Sequence, residues 1–341
     1  MIEKTARLLV LACLAAGGAG AQPPGFVPMD PWDQIKTMRR GVNIIGYDPL
    51  WRDFEKARFH ERHFRRIREG GFQTVRINLQ AFSHMDAQHR LDAAWFQTLD
   101  WAVKNAFSNG LTVILDEHDY GVCGKDAEAC KPKLMAFWKQ VAEHYKDAPN
   151  SVLFEILNEP NSQVTPELWN AWLKESLAIV RTSNPRRNVV IGPASWNNIH
   201  YLDKLELPES DRNLIVTVHY YLPMNFTHQG ARWNAATAKL SGIAWGSDAE
   251  KQKVAEDFGG VQQWSKGQNR PILLGEFGAY DGGGADMDSR VRYTSHVART
   301  AESLGWAWTY WQFDSDFIVY DMAKDDWVRP IWRALIPEEG K

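Results

Sequence analysis

The feature that most constrains the fold is a regular alternation of short apolar runs with longer amphipathic segments. Eight such runs follow one another along the chain, and the segments between them have helical periodicity. This alternation is typical of parallel strands joined by crossover helices. The predicted strands are Gly41–Ile45, Thr74–Leu79, Thr112–Asp116, Val152–Leu157, Val189–Gly192, Leu214–His219, Ile272–Glu276 and Trp306–Tyr310.

Proline and glycine mark the ends of the predicted helices. Pro132 and Pro166 stand where the first turn of a helix tolerates proline, and Gly110 follows the end of a helical segment. Between the fifth and sixth strands the pattern is weak, and it predicts only a short helix over Tyr201–Leu205. The clearest helices are predicted over His60–Glu69, Ala93–Ser108, Lys133–Tyr145, Pro166–Arg181, Lys251–Lys266 and Asp288–Ser303.

Eight strand and helix units in 341 residues predict an α/β fold, a (β/α)8 TIM barrel in a single domain. The main alternative is a doubly wound open sheet, which usually carries a glycine-rich phosphate-binding turn after its first strand. Here the first strand continues into Gly46-Tyr47-Asp48-Pro49, which is not such a turn. The sequence therefore favours the closed barrel.

The carboxyl ends of the strands are where a barrel of this kind carries its functional side chains. Glu159 and Glu276 stand at the ends of the fourth and seventh strands, so they are predicted to face each other across the barrel mouth. Glycoside hydrolysis needs two carboxyl groups flanking the scissile bond. One protonates the leaving oxygen, and the other attacks the anomeric carbon or activates a water molecule.

The segments around both glutamates resemble the paired signatures of glycoside hydrolase family 5, the cellulase family of clan A. They read Phe-Glu-Ile-Leu-Asn-Glu-Pro over 154–160 and Leu-Gly-Glu-Phe-Gly over 274–278. The similarity extends from about Met38 to Trp332. It also includes Val75-Arg76-Ile77, Asp116-Glu117-His118, His219-Tyr220-Tyr221 and Trp311.

The resemblance implies a role for each matching residue around the reacting bond. Glu159 would be the general acid/base and Glu276 the nucleophile of a retaining enzyme. Asn158 would bind the 2-hydroxyl of the sugar, and Arg76 and Tyr221 would contact Glu276. A guanidinium at that position favours the carboxylate, so we expect a raised pKa for Glu159 and a lowered pKa for Glu276.

Histidine and tryptophan side chains are expected to hold the substrate. By the same resemblance, His118 and His219 would position the sugar and Trp311 would form a stacking floor. Trp196 directly follows the fifth strand and is the favoured further substrate-binding residue. Four other loop tryptophans remain open between lining the cleft and packing: Trp32, Trp51, Trp233 and Trp245.

Other acidic residues near the strand ends have simpler interpretations. Glu155 shares the strand parity of Glu159 but lies deeper, so we interpret it as a polar partner in the core. Asp116 and Glu117 are interpreted as structural. Neighbouring strand residues point to opposite faces, so the Asp116–Asp119 segment converges poorly on a metal, and no metal or organic cofactor is expected.

The N-terminus has the pattern of a cleavable signal peptide. Lys4 and Arg7 precede the apolar stretch 8–16, and Ala19-Gly20-Ala21 is a small-residue cleavage site. We predict a signal peptide over 1–21, a catalytic domain over 22–341 and a secreted or periplasmic protein. A lipoprotein modified at Cys13 is the alternative.

Two cysteines, Cys123 and Cys130, remain after cleavage. An exported protein meets an oxidising compartment, so a disulfide between them is predicted. Two free thiols or a metal site are the alternatives.

The charge balance gives no reason to expect a charged partner. The formal net charge is −3 without long runs of one sign, which argues against nucleic acid or an anionic membrane. We predict that the protein is a monomeric endoglucanase. Its predicted partner is a neutral β-glucan, which it cleaves at β-1,4 bonds. Alternatives are the same chemistry on β-mannan, xyloglucan or mixed-linkage glucan, a non-catalytic carbohydrate-binding protein, and a metal-dependent barrel hydrolase.

Overall fold

A closed barrel of eight parallel strands forms the centre of the molecule in the computed structural model, which describes residues 25–338. Each strand pairs with the next along the chain, and β8 closes the barrel against β1. The predicted (β/α)8 barrel is confirmed. The strands are β1 (Arg40–Ile44), β2 (Thr74–Leu79), β3 (Thr112–Glu117), β4 (Val152–Glu155), β5 (Val189–Ile191), β6 (Leu214–Tyr220), β7 (Ile272–Phe277) and β8 (Ala307–Tyr310), and a hairpin of β9 (Tyr320–Asp321) and β10 (Asp326–Trp327) follows them.

Helices connect the strands, and α6 begins at the predicted proline. The helices are α1 (Pro31–Met38), α2 (Glu61–Glu69), α3 (Ala93–Ser108), α4 (Tyr120–Lys125), α5 (Ala127–His144), α6 (Pro166–Ser183), α7 (Ala194–Asn197), α8 (Met224–Thr227), α9 (Asp248–Gln268), α10 (Met287–Ser303) and α11 (Arg329–Leu335). Thr165 caps α6 through its side chain, with Pro166 in the first turn as predicted.

Helix α5 begins earlier than the sequence pattern predicted. Its cap is Asp126, whose carboxylate accepts a hydrogen bond from the Ala129 backbone N–H at 3.0 Å. The interpretation of Pro132 as a first-turn proline was therefore wrong, because Pro132 lies inside the helix. The side-chain cap at Asp126 provides a start signal that the apolar periodicity alone does not contain.

The amino-terminal end of the barrel is closed by α1. Ile35 and Met38 of this helix are buried in one apolar cluster with interior strand residues, including Ile114, Leu153 and Ile215. The opposite end is polar. Arg76, Asn43 and Glu155 lie inside the mouth and are fully buried, so the apolar plug leaves the carboxyl ends of the strands free to carry chemistry.

Candidate active site

A cavity of about 900 Å³ opens at the carboxyl ends of the strands. Glu159, His219 and Glu276 line its floor, together with aromatic residues from the surrounding loops. A smaller cavity of about 320 Å³ shares Tyr47 and His118 with it. The two cavities together form a groove across the barrel mouth.

The two glutamates predicted from the strand ends lie side by side in this groove. Glu159 follows β4 in a left-handed backbone conformation with φ of 42°, and Glu276 belongs to β7. One carboxylate oxygen of each, and a ring nitrogen of His219, all lie within 4.8 Å of one another. A register shift after Val218 pairs His219 with Glu276 across β6 and β7, which brings the histidine to the same place.

Arg76 lies beneath the glutamates and connects Glu276 to polar side chains inside the barrel. Its Nη1 donates to Glu276 at 2.9 Å and to Asn43 at 2.8 Å. The rest of the guanidinium donates to both oxygens of Glu155 at 2.7 and 2.8 Å and to Asn158 at 2.8 Å. The predicted contact between Arg76 and Glu276 is therefore present, and Glu155 is the buried polar partner that the sequence suggested.

Each glutamate has its own hydrogen-bonding partner at the cleft surface. Nδ1 of His219 lies 2.8 Å from Oε1 of Glu159. The Tyr221 hydroxyl donates to Oε2 of Glu276 at 3.0 Å, as predicted. The two carboxyl groups are thus held by different elements and in different surroundings.

Burial and mutual repulsion set the ionisation of the pair. Burial, and then the neighbouring Glu276 carboxylate, raise the pKa of Glu159 well above its ordinary value. Burial also raises the pKa of Glu276, although Arg76 and His118 oppose this. The expected lowering at Glu276 was therefore wrong in direction, because desolvation outweighs the guanidinium. The expected order holds, since Arg76 contacts only Glu276 of the two and Glu276 loses its proton first.

The two histidines of the site are neutral. Burial and the charge of Arg76 lower the pKa of His118 to about 4 and that of His219 well below its ordinary value. His118 is also fixed in orientation, since its Nδ1 lies 2.6 Å from Asp116 and its ring is parallel to Trp311 at 5.6 Å. Asp116 and Glu117 are themselves fully buried, in keeping with a structural interpretation.

Tryptophans form the walls of the groove at two levels. Trp311 is 7% exposed and lies at the floor, whereas Trp196 is 49% and Trp233 57% exposed on the rim. Trp51 stacks on Trp95 and Trp245 is buried. Trp32 is partly exposed on α1, at the other end of the barrel. Of the four tryptophans left open by the sequence, Trp233 alone lines this cavity.

Several residues of the groove were not predicted from the sequence. Tyr47, Tyr120 and His228 line the cavity, and Asn43 lies beneath it on the guanidinium of Arg76. Tyr47 and Asn43 lie in or just after the first strand, so the strand-end rule could have found both. Tyr120 begins the short helix α4 and His228 directly follows the short helix α8, and no periodicity predicted either helix.

Glu159, His219 and Glu276 are also a possible set of metal ligands within the described part of the chain. The guanidinium of Arg76 lies 2.9 Å from Glu276 and repels a cation there. His219 and Tyr221 already use one oxygen of each glutamate. The donors therefore fit an acid/base pair better than a metal.

A disulfide joins Cys123 of α4 to Cys130 of α5, with 4.9 Å between their Cα atoms. The predicted bond is therefore present, next to the part of the groove that Tyr120 lines. The predicted signal peptide and its cleavage site lie outside the described residues. Within 25–338, no helix has the length and apolar character needed to span a bilayer.

Known proteins resemble the chain over most of its length. The family model described as Cellulase (glycosyl hydrolase family 5) matches residues 38–316. Endoglucanase H of Acetivibrio thermocellus is 29% identical over 88% of this chain and 33% of its own length. Endoglucanase 3 of Fibrobacter succinogenes is 26% identical over 85% of this chain and 51% of its own. The chain thus spans between a third and a half of these curated relatives.

Solved structures match the whole barrel. Endoglucanase Cel5A of Thermotoga maritima, solved in complex with cellobiose, has a TM-score of 0.85 and 38% identity, covering 90% of this chain and 100% of that one. The same enzyme has been solved with mannotriose. The cellulose synthase subunit Z of Clostridioides difficile has a TM-score of 0.82 and 32% identity over 88% of this chain and 99% of its own. With the matched residues and the barrel in agreement, the chain belongs to the cellulase family, glycosyl hydrolase family 5.

Proposed function

We propose that the protein is a retaining endo-β-1,4-glucanase with Glu159 as acid/base and Glu276 as nucleophile. The observation that carries the proposal is the approach of the two carboxylates to within 4.8 Å in an open groove. Retaining enzymes hold their carboxyl groups about 5–5.5 Å apart, whereas inverting enzymes leave a wider gap of about 6.5–9.5 Å for water. The short separation favours direct attack by one of the two.

In the first step, the Glu276 carboxylate attacks the anomeric carbon. The bond from that carbon to the leaving oxygen breaks, and Glu159 gives its proton to this oxygen. The different surroundings suit these roles, since Arg76 and Tyr221 stabilise the charge on Glu276 while burial keeps Glu159 protonated.

In the second step, water replaces the leaving group on the same face of the sugar. Glu159, now ionised, takes a proton from the water as its oxygen attacks the anomeric carbon. The ester bond to Glu276 breaks, and its carboxylate is restored. Two inversions give net retention, and the second step restores both the protonated Glu159 and the Glu276 carboxylate.

The groove supports a polymeric substrate. It continues from the main cavity into the smaller one past Tyr47 and His118, and the rings of Trp196, Trp233 and Trp311 offer flat faces along it. The cellobiose complex of a 38% identical enzyme supports β-1,4-glucan. Its mannotriose complex makes β-mannan the second candidate substrate.

Release of reducing sugar from a panel of polymers tests this proposal. The panel is carboxymethyl cellulose, mixed-linkage glucan, mannan, xylan and xyloglucan. We expect the highest rate on a β-1,4-glucan, a fast fall in viscosity that indicates endo cleavage, and products that first appear as the β-anomer by NMR. First products as the α-anomer would contradict the mechanism.

Two further outcomes separate the remaining functional classes. Binding to these polymers without release of reducing ends would indicate a carbohydrate-binding protein instead. Loss of activity on treatment with a chelator would indicate a metal-dependent hydrolase. We expect hydrolysis that a chelator does not change.

We also propose that residues 1–21 direct export and that 22–341 form one catalytic domain, secreted or periplasmic and monomeric. The charged start, the apolar stretch and Ala19-Gly20-Ala21 support export. Amino-terminal sequencing of the exported protein should begin at Gln22. Sedimentation should give the mass of one chain, and a retained leader or a dimer would contradict the respective part.

A further inference from the structure

A left-handed turn after β5 directs one asparagine into the barrel. Ser195, Trp196 and Asn197 have φ values of 61°, 64° and 51°. Left-handed backbone is strained for residues with a Cβ, although asparagine adopts it more readily than most. The turn separates its two larger side chains, because Trp196 is 49% exposed on the groove rim while Asn197 is completely buried.

The buried amide of Asn197 lies against Gly192. A Cβ on Gly192 would lie 2.1 Å from Oδ1 of Asn197, so only glycine leaves room for this amide. Its Nδ2 lies 3.2 Å from Nε2 of His219. Its Oδ1 has no hydrogen-bond partner, so His219 is the one polar group among the described residues that this side chain reaches.

The surroundings of His219 determine which ring nitrogen carries the proton. The ring is neutral, because burial disfavours its charged form, so one nitrogen is a donor and the other an acceptor. Nε2 faces the amide N–H of Asn197, which can only donate. Nδ1 faces Oε1 of Glu159 at 2.8 Å and Oε2 of Glu276 at 3.6 Å. The arrangement is consistent only if Nε2 accepts and Nδ1 carries the hydrogen.

We propose that Asn197 is a positioning residue that holds His219 in the Nδ1–H form, so that His219 donates to Oε1 of Glu159. The catalytic proton of Glu159 then stays on Oε2, where a leaving group can take it. This inference rests on the proposed function only in naming Glu159 as the acid. The tautomer itself is a property of the free protein.

Without the Asn197 amide, the opposite tautomer becomes accessible. Nδ1 would then be an acceptor and would hold the Glu159 O–H in a hydrogen bond directed at the histidine. The proton would face away from the glycosidic oxygen, and protonation of the leaving group would slow. General acid catalysis contributes about 10²–10⁴-fold, so the loss is measurable on substrates that need an acid.

The first test measures the tautomer without any substrate. Nitrogen-15 NMR of histidine-labelled protein distinguishes a protonated from an unprotonated ring nitrogen, with His219→Gln used to assign the signal. We expect Nδ1 protonated and Nε2 unprotonated in the wild type at neutral pH. A wild-type His219 with its proton on Nε2 would overturn the proposal, and this result does not depend on the enzyme's activity.

The second test uses two variants that change the partner of Nε2. Asn197→Asp keeps the shape and places an acceptor there, so the single ring hydrogen of neutral His219 should move from Nδ1 to Nε2. Gly192→Ala displaces the amide without adding charge and should give a mixture of tautomers. The matched control is Asn105→Asp on α3, a buried asparagine that donates to the Trp101 carbonyl at 2.9 Å and should leave His219 unchanged.

Activity with two leaving groups separates the positioning role from a structural one. We expect kcat/KM of Asn197→Asp to fall about 10²-fold on a cello-oligosaccharide, but to change little on dinitrophenyl cellobioside, whose leaving group needs no proton. Equal losses on both substrates would refute the positioning role. A wild type that hydrolyses neither substrate would refute the proposed function, while the NMR result would still decide the tautomer.

Discussion

At the scale of single residues, Arg76 balances the buried charge beneath the groove. Its guanidinium is completely buried and contacts Asp116, Glu155 and Glu276 at 3.1, 2.7 and 2.9 Å. Isolated charges at such depth are very unfavourable. The arginine therefore supports both the fold and the proposed nucleophile Glu276, and its removal should affect both.

Replacement of Arg76 by methionine should destabilise the protein strongly. It leaves the carboxylates of Asp116 and Glu155 buried without a cation, and breaking a buried pair in this way costs about 3–5 kcal/mol. Urea unfolding at neutral pH measures the loss. Arg76→Met/Glu155→Met should recover part of it, and a loss under about 1 kcal/mol in the single variant would contradict the assigned role.

The two glutamates should respond differently to the same isosteric change. Glu276→Gln should fold normally and lose essentially all hydrolysis, because it removes the proposed nucleophile. Glu159→Gln should lose about 10²–10⁴-fold on polymer but still form a glycosyl-enzyme with dinitrophenyl cellobioside, seen by mass spectrometry. Near-normal turnover by Glu276→Gln would overturn the assignment.

Exposed Glu128 on α5 provides the control for these glutamate variants. Glu128→Gln makes the same chemical change on a side chain that lines neither cavity of the groove. Its activity should equal that of the wild type, and its unfolding transition should not move.

Residues at strand ends could be predicted because all parallel strands of a barrel finish at one rim. Glu159 and Glu276 were found in this way, whereas Arg76 lies within β2 and was identified through the family resemblance. The role of Asn197 could not be predicted, since it depends on which ring nitrogen of His219 the amide reaches. The direction of the pKa of Glu276 also escaped prediction, because desolvation follows from packing depth and not from residue type.

At the scale of elements, the strands were predicted more accurately than the connections at the mouth. Apolar runs locate strands such as Thr74–Leu79 to the residue. Helix α4 contains two glycines, and α7 is a left-handed turn, so neither has the periodicity on which helix prediction relies. These short elements shape the groove, and they are the part of the fold that sequence patterns describe least well.

The disulfide is expected to stabilise the junction of α4 and α5. Its cysteines are 7 positions apart, and closing a loop of this size stabilises the fold by about 2–3 kcal/mol through the unfolded chain. Cys123→Ala/Cys130→Ala should lose that amount in urea unfolding. Dithiothreitol should have the same effect on the wild type and none on the variant, and an unchanged midpoint would contradict the estimate.

At the scale of the whole molecule, the two ends of the barrel have different roles. The apolar cluster under α1 closes one end, so the buried charges can concentrate at the other. This separation of an apolar end from a polar end accounts for the change of interior side chain from Leu153 to Glu155 along β4. Many tyrosine rings are also buried around the barrel, and their burial makes the fold sensitive to alkaline pH.

Alkaline unfolding should be steep because burial raises the pKa of many tyrosines above the ordinary value. These are Tyr120, Tyr145, Tyr220, Tyr221, Tyr293, Tyr310 and Tyr320. The folded protein keeps these protons when the unfolded chain loses them near pH 10. Stability is therefore complete below about pH 10 and falls above it by about 1.4 kcal/mol per pH unit for each tyrosine. Most of the rise in tyrosinate absorbance should coincide with the loss of near-ultraviolet circular dichroism, and ionisation of more than three of the ten tyrosines in the folded protein near pH 10 would contradict this burial argument.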